Sequence, residues 1–215
     1  ILQVLIPVVA ISKKQLDLKI KGGTDVLWSP TIDYTQYVLQ EAYSRMGINF
    51  SLELIKRGYY PKGGGEIKLQ VNPSNLKSIL FSKRKTNEVK LICSFSKFAN
   101  NEIENKVNQI MKKLTEANYI VNVEIRSEEA LDSGASLLIY SIDNDSIIGI
   151  DALYNKKTDK FDLDIDDFIK NYSIDDNLAD MLVVPASLSI GKTLNIYFKM
   201  YLRLISLRHL RRWFS

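Results

Sequence analysis

The run Arg57-Gly58-Tyr59-Tyr60-Pro61-Lys62-Gly63-Gly64-Gly65-Glu66 sets a cation on each side of Pro61, ahead of three consecutive glycines. Glycine backbone adopts positive φ and admits close approach of another chain or of a phosphate. Backbone N–H groups gathered in such a turn favour an anion, so Arg57 and Lys62 are candidate phosphate or RNA contacts. The same run also reads as a turn between two strands, because Ser51 to Lys56 and Glu66 to Val71 both alternate. In that reading Arg57 and Lys62 hold the turn by pairing with Glu66 or neighbouring acids. Glycine clusters usually mark turns, and both readings stand at this point.

Few other groups could do chemistry. His209 is the only histidine, in a basic stretch that continues Leu210-Arg211-Arg212-Trp213. The single cysteine, Cys93, excludes an internal disulfide framework and a cysteine zinc cluster. Its setting in Val89-Lys90-Leu91-Ile92-Cys93 reads as a buried strand thiol. Gln3 stands in the apolar run Leu2-Gln3-Val4-Leu5, where an amide needs a polar partner or a surface position.

The chain has 215 residues, 46% of them hydrophobic, which is enough for one large domain or two small ones. No apolar run approaches the roughly 18 residues of a membrane span, and no signal peptide is visible. A reducing, cytoplasmic location fits. The net charge of +4 is unevenly placed: residues 159–180 hold eight aspartates against two lysines, whereas six cations and no acid follow from Lys192. A basic segment of this kind suits phosphate contacts on a nucleic acid; the alternatives are a solvated face or a tail lying on the acidic stretch.

The positioning elements follow from periodicity. Leu16 to Ile20 alternates as a strand and turns at Gly22-Gly23. Residues 33–46 repeat apolar positions at Tyr34, Val38, Ala42 and Met46, which predicts a helix closed by Gly47. With the strands at 48–56 and 66–71, this order predicts a helix packed on a mixed sheet. Downstream, residues 89–98 read as a strand and residues 101–117 as an amphipathic helix with Ile103, Val107, Ile110, Met111 and Leu114 on one face. A strand follows at 119–125, then a hairpin of 137–142 and 147–152 around Asp143-Asn144-Asp145. A short acidic helix at 164–172 and a more apolar one at 177–189 complete the pattern. The fold class is α/β, of the α+β type.

The glycine run, together with Gly22-Gly23-Thr24-Asp25, Trp28-Ser29-Pro30, Asp33-Tyr34 and Leu178-Ala179-Asp180, resembles the RNA 3'-terminal phosphate cyclase family. The resemblance is continuous from Gln3 to about Val71 and resumes from about Asp175 to Ser189. It implies repeated helix-on-sheet units forming a main domain, residues 1–78 with 155–215, and a small inserted α/β domain, residues 79–154, in which no catalytic cluster is visible. The activity it implies is ATP-dependent conversion of an RNA 3'-phosphate to a 2',3'-cyclic phosphate, a ligase-type reaction. In the family a histidine attacks the α-phosphorus of ATP, and the histidine-AMP intermediate passes AMP to the RNA 3'-phosphate. The ribose 2'-hydroxyl then closes the ring and expels AMP.

Carried over position by position, the resemblance makes Gln3 a contact to the metal-bound nucleotide phosphates and Asp180 a ligand of Mg2+ or Mn2+. It sets Pro30 and Tyr34 about the adenine. Asn177 and Met181 fall where the family commonly has an aromatic and a glutamine completing the base pocket. Both are departures, and a methionine cannot hydrogen-bond a base as an amide does. His209 is the one candidate nucleophile, yet it lacks the Thr-Asn pair that follows the family histidine, and the resemblance fades after about Gly191. Because the chain opens on Ile1 inside an apolar stretch, it looks like the C-terminal two thirds of a cyclase. The alternative to an active enzyme is a non-catalytic, RNA-binding or ribosome-maturation relative, or an inactive fragment.

Overall fold

A computed structural model describes residues 1–189. Two sheets and six α-helices cover those residues. The first sheet holds β1 (Leu16–Gly22), β2 (Phe50–Lys56) and β3 (Gly65–Val71) in the order β1-β3-β2. Both of its pairings are antiparallel, which corrects the expectation of a mixed sheet at this point. The glycine run folds β3 back on β2, so β3 enters between β1 and β2 and opposes both. Alternation then decides the faces: Ile67, Leu69 and Val71 point inward, opposite Ile20, Leu18 and Leu16 of β1.

Helices cover that inward face. α1 (Leu2–Ile11) buries Ile6, Pro7 and Ala10. The helix expected over 33–46 is built in three pieces: α2 (Ile32–Tyr34), a π-helical turn Thr35–Leu39, and α3 (Gln40–Arg45). Thr31 caps its start by accepting from the Tyr34 N–H, and Gly47 closes it at φ +80°. Val38, Leu39, Ala42, Tyr43 and Met46 are buried with Leu52, Ile67 and Leu69 in one core.

The second sheet has the order β5-β4-β6-β7-β8. β4 (Glu88–Ser96) and β5 (Ile120–Ser127) run parallel, joined by α4 (Asn100–Glu116), because a parallel pair needs a crossover. β6 (Gly134–Ile142), β7 (Ile147–Asn155) and β8 (Lys160–Phe161) continue antiparallel. Its central strands β4 and β6 are largely buried on both faces. Leu91, Cys93, Phe95, Leu137 and Ile139 pack with Ile103, Val107 and Leu114 of α4. Ile92, Leu138 and Tyr140 turn the other way and join the first core beside α2 and α3. Cys93 is a buried strand thiol, as read from the sequence, and burial pushes its pKa up to about 12.

α5 (Ile165–Lys170) is capped by Asp164, and α6 (Asp176–Leu188) by Asp175, whose side chain accepts from the Leu178 N–H. α6 runs beside α1 and buries Leu178, Leu182 and Ala186 against the first core. Among the described residues no helix is long and apolar enough to cross a membrane.

Candidate functional site

The glycine run does not present Arg57 to solvent. The Arg57 side chain is fully buried at the end of β2, and every guanidinium nitrogen donates. Nη1 reaches Asp25 at 3.0 Å and Ser136 at 3.2 Å, while Nη2 reaches Asp33 at 3.2 Å and Ser94 at 3.1 Å. Nε donates to Glu128 at 2.7 Å. Burial by itself would lower the pKa of this group, but Asp25, Glu128 and Asp33 outweigh it and hold the guanidinium above its ordinary value. The phosphate role expected for Arg57 is therefore replaced by a structural one, because its donors are already spent between the two sheets. Acids do hold it, as the turn-holding reading had it, but they are Asp25, Asp33 and Glu128, while Glu66 pairs with Lys19 and Lys21. Arg126 extends the network, meeting Asp33 at 3.4 Å and Glu124 at 2.8 Å.

Backbone contacts explain the glycines. The Gly58 carbonyl accepts from the N–H groups of Thr24 (2.9 Å) and Asp25 (3.2 Å), and a Cβ on Gly58 would collide with the Gly65 backbone. Gly63 and Gly64 take φ +64° and +69°, the left-handed region that glycine enters without cost. The close approach anticipated for this run is thus to another strand of the same chain. Lys62 is exposed at the turn, its backbone N–H donating to Asp132 at 2.7 Å and its ammonium 3.6 Å from the same carboxylate.

A cavity of about 400 Å³ lies elsewhere, between α1, α6 and the loop before α2, within the range usual for small-molecule sites. Gln3 of α1, Pro30 of the loop, and Asn177, Asp180 and Met181 of α6 all line it. The α6 residues share a wall because spacings of three and four return to one helix face. Tyr43 ties the two helices beneath, its hydroxyl donating to the carbonyls of Gln3 (3.4 Å) and Met181 (3.5 Å). Five residues expected at a nucleotide and metal site are therefore brought together from three segments.

Tyr34, Arg57 and Lys62 do not line this cavity. Tyr34 is buried beneath it, donating from its hydroxyl to Asp175 at 2.7 Å, so it is a support and not a wall. Burial beside that carboxylate holds its hydroxyl well above the usual tyrosine range. Asp175 also accepts from the Gly149 N–H at 2.8 Å, which locks the start of α6 to β7. Arg57 and Lys62 belong to the glycine run, and His209 lies outside the described residues.

Three residues to which the sequence assigned no role complete the lining, Trp28, Ser29 and Asp151. Asp151 comes from β7, within the segment in which no catalytic cluster was visible. Its carboxylate accepts from the Thr31 N–H at 2.6 Å, and burial raises its pKa despite that bond. The available signal was an aspartate inside the apolar run Ile147-Ile148-Gly149-Ile150-Asp151-Ala152-Leu153, which calls for a partner just as Gln3 does.

The donor set fits a hard cation. Asp180 and Asp151 offer carboxylate oxygens, and Gln3 and Asn177 amide oxygens, around one cavity. Among the described residues no three acidic, histidine or cysteine side chains group as a closed metal cage. Magnesium is usually held by one or two carboxylates together with waters and substrate phosphates, so an open set of this kind suits it.

Helices packed on two sheets define a mixed α+β protein. The family model for RNA 3'-terminal phosphate cyclase matches residues 1–209, and the chain belongs to that family. The match extends past Gly191, where the motif resemblance fades. The chain is 34% identical over 186 residues to the RNA 3'-terminal phosphate cyclase of Methanosarcina barkeri, covering 85% of this chain and 56% of that protein. It is 33% identical over 202 residues to the protein of that name from Saccharolobus islandicus, covering 89% of this chain and 59% of the relative. For Methanococcoides burtonii the figures are 28% over 199 residues, 91% and 60%. The chain thus spans somewhat over half the length of these relatives.

Proposed function

We propose that this chain forms the nucleotide-binding part of an enzyme that uses ATP to convert an RNA 3'-phosphate into a 2',3'-cyclic phosphate. The observation that carries this reading is the convergence of Gln3, Pro30, Asn177, Asp180 and Met181 on one cavity. Within it, residues 1–78 with 155–215 are read as the main domain and residues 79–154 as the inserted one, although the second sheet runs on through β8 and its apolar cluster takes in Phe161, Ile165 and Phe168.

The chemical problem is that a phosphate monoester dianion has no good leaving group for attack by the adjacent 2'-hydroxyl. Transfer of AMP to that phosphate creates one. Pro30 and Met181 supply apolar surface on which a flat base is buried without stranding polar atoms. Asn177 offers an amide at the cavity mouth. Gln3 and Asp180, with Asp151 beside them, would hold Mg2+ or Mn2+, which supplies neutralisation of phosphate charge when bound. His209 is the candidate nucleophile: its ring nitrogen bonds to the α-phosphorus, the bond to the β-phosphate oxygen breaks, and pyrophosphate leaves.

The test is incubation of the purified chain with α-labelled ATP and Mg2+ or Mn2+, followed by a denaturing gel. A labelled band that His209→Ala abolishes is the expected result. A folded, soluble chain that takes no label would overturn the enzymatic reading and leave a binding relative.

A further inference from the structure

Asp175 joins three elements behind the cavity. Its Oδ1 accepts from the Tyr34 hydroxyl at 2.7 Å and from the Leu178 N–H at 2.9 Å, and its Oδ2 from the Gly149 N–H at 2.8 Å. Tyr34 belongs to α2, Leu178 to α6 and Gly149 to β7. Each of these elements serves a wall. Asp151 stands two residues beyond Gly149 and faces the same side of β7, while Asn177, Asp180 and Met181 follow on α6 and Pro30 precedes the Thr31 cap of α2. The Tyr34 ring also presses on β7, because a Cβ on Gly149 would come within 2.9 Å of its Cε2. Asp175 and Tyr34 are buried and line no part of the cavity themselves.

We infer that Asp175, held by the Tyr34 hydroxyl, is the positioning residue of the cation site and fixes the Asp151 and Asp180 carboxylates relative to each other. This rests on the reading given above, in which those two residues would hold Mg2+ or Mn2+. The two carboxylates come from different elements, so their separation is set by whatever joins β7 to α6. Asp175 does so with its two oxygens, Oδ2 on β7 and Oδ1 on the first turn of α6. Asp180 lies about one turn along that helix, which carries the constraint to it. A second route closes the ring. The Tyr34 N–H donates to the Thr31 hydroxyl at 3.2 Å, and the Thr31 N–H donates to Asp151 at 2.6 Å. Groups that stand behind metal ligands orient them, and losing one typically weakens metal binding about 10–100-fold.

The experiment is calorimetric titration of MnCl2 into the 215-residue chain and into Tyr34→Phe, Asp175→Asn and Tyr59→Phe, each below its melting transition as established by thermal unfolding. Tyr59→Phe is the control. It too removes a buried tyrosine hydroxyl, one that donates to the Ser94 carbonyl at 3.0 Å, and neither residue lines the cavity. Asp175→Asn leaves one carbonyl oxygen where there were two, so it cannot accept from both β7 and α6 as the carboxylate does. Tyr34→Phe and Asp175→Asn should bind Mn2+ about tenfold more weakly than the parent chain, and Tyr59→Phe should match the parent. Unchanged affinity in folded Tyr34→Phe overturns the positioning role, as does an equal loss in Tyr59→Phe, which would make the effect one of general stability. Should Asp175→Asn not fold, Tyr34→Phe decides, since it keeps the packed ring. A folded parent chain that binds no Mn2+ overturns the proposed cation site and the positioning role with it. Mn2+ binding that is indifferent to Tyr34→Phe sinks the positioning role alone.

Discussion

The backbone N–H of Thr31 donates to the Asp151 carboxylate at 2.6 Å, across 120 positions of sequence. This bond joins the loop before α2 to β7 and makes a strand of the second sheet part of the cavity wall. Two roles for Asp151 can be separated. Asp151→Ala removes the anchor and should destabilise the fold by about 1–3 kcal/mol, the usual range for a hydrogen bond to a charged group. Asp151→Asn keeps an acceptor but removes the charge, so stability should change by less while Mn2+ affinity falls. Urea unfolding and manganese titration by electron paramagnetic resonance read the two effects.

Asp180 lies on the exposed side of α6 and touches the cavity, not the core. Asp180→Asn should change the unfolding free energy by no more than about 0.5 kcal/mol, as for most surface changes. It should weaken Mn2+ binding about tenfold or more, because a carboxylate oxygen is replaced by a neutral amide. Calorimetric titration with MnCl2 checks this, and unchanged affinity would remove Asp180 from the metal site.

Arg57 is a buried side chain paired with Asp25, Asp33 and Glu128. Arg57→Ala strands Asp25 and Asp33 in the interior, and removing one partner of a buried ion pair costs about 3–5 kcal/mol. Arg57→Lys should recover only part of that, since an ammonium cannot serve Asp25, Asp33, Glu128, Ser94 and Ser136 at once. Thermal unfolding followed by circular dichroism distinguishes the three proteins. A mild effect of Arg57→Ala combined with lost RNA affinity would restore the phosphate role.

Gly58→Ala should destabilise by about 1–3 kcal/mol, the cost of forcing a methyl group into a close-packed backbone crossing. Because the clash is with the Gly65 backbone, side-chain rearrangement cannot relieve it. Equilibrium unfolding in urea gives the value.

The β6–β7 turn predicts a pH dependence. Burial alone would raise the Asp143 pKa, but N–H groups of Lys85, Thr86, Asp145 and Ser146 all donate to its carboxylate and hold it down to about 2. The unfolded chain binds this proton near pH 3.8, so the ionised carboxylate stabilises the fold above that pH. The contribution is lost as pH falls toward about 2. After allowance for solvent screening it is on the order of 1–2 kcal/mol. Stability of the parent chain should fall over this window by more than that of Asp143→Asn, as measured by urea midpoints at a series of pH values.

Much of this could be read from the amino-acid order because it is local. The amphipathic face of α4, the Asp143-Asn144-Asp145 turn, the Gly47 helix stop and the strands flanking the glycine run each depend on side-chain period or on φ preferences within a few residues. So did the membership of Gln3, Pro30, Asn177, Asp180 and Met181 in one candidate site, through a specific family signature. The pairing of β3 between β1 and β2, the burial of Arg57, the retreat of Tyr34 to Asp175 and the arrival of Asp151 at the cavity were decided only in three dimensions. Each depends on a partner at long sequence separation: 71 positions for Arg57 and Glu128, 141 for Tyr34 and Asp175. A charge or hydroxyl in the sequence states what it can donate or accept. Which group it meets is chosen by the packing of two sheets around shared helices, where an unpaired polar group is too costly to bury.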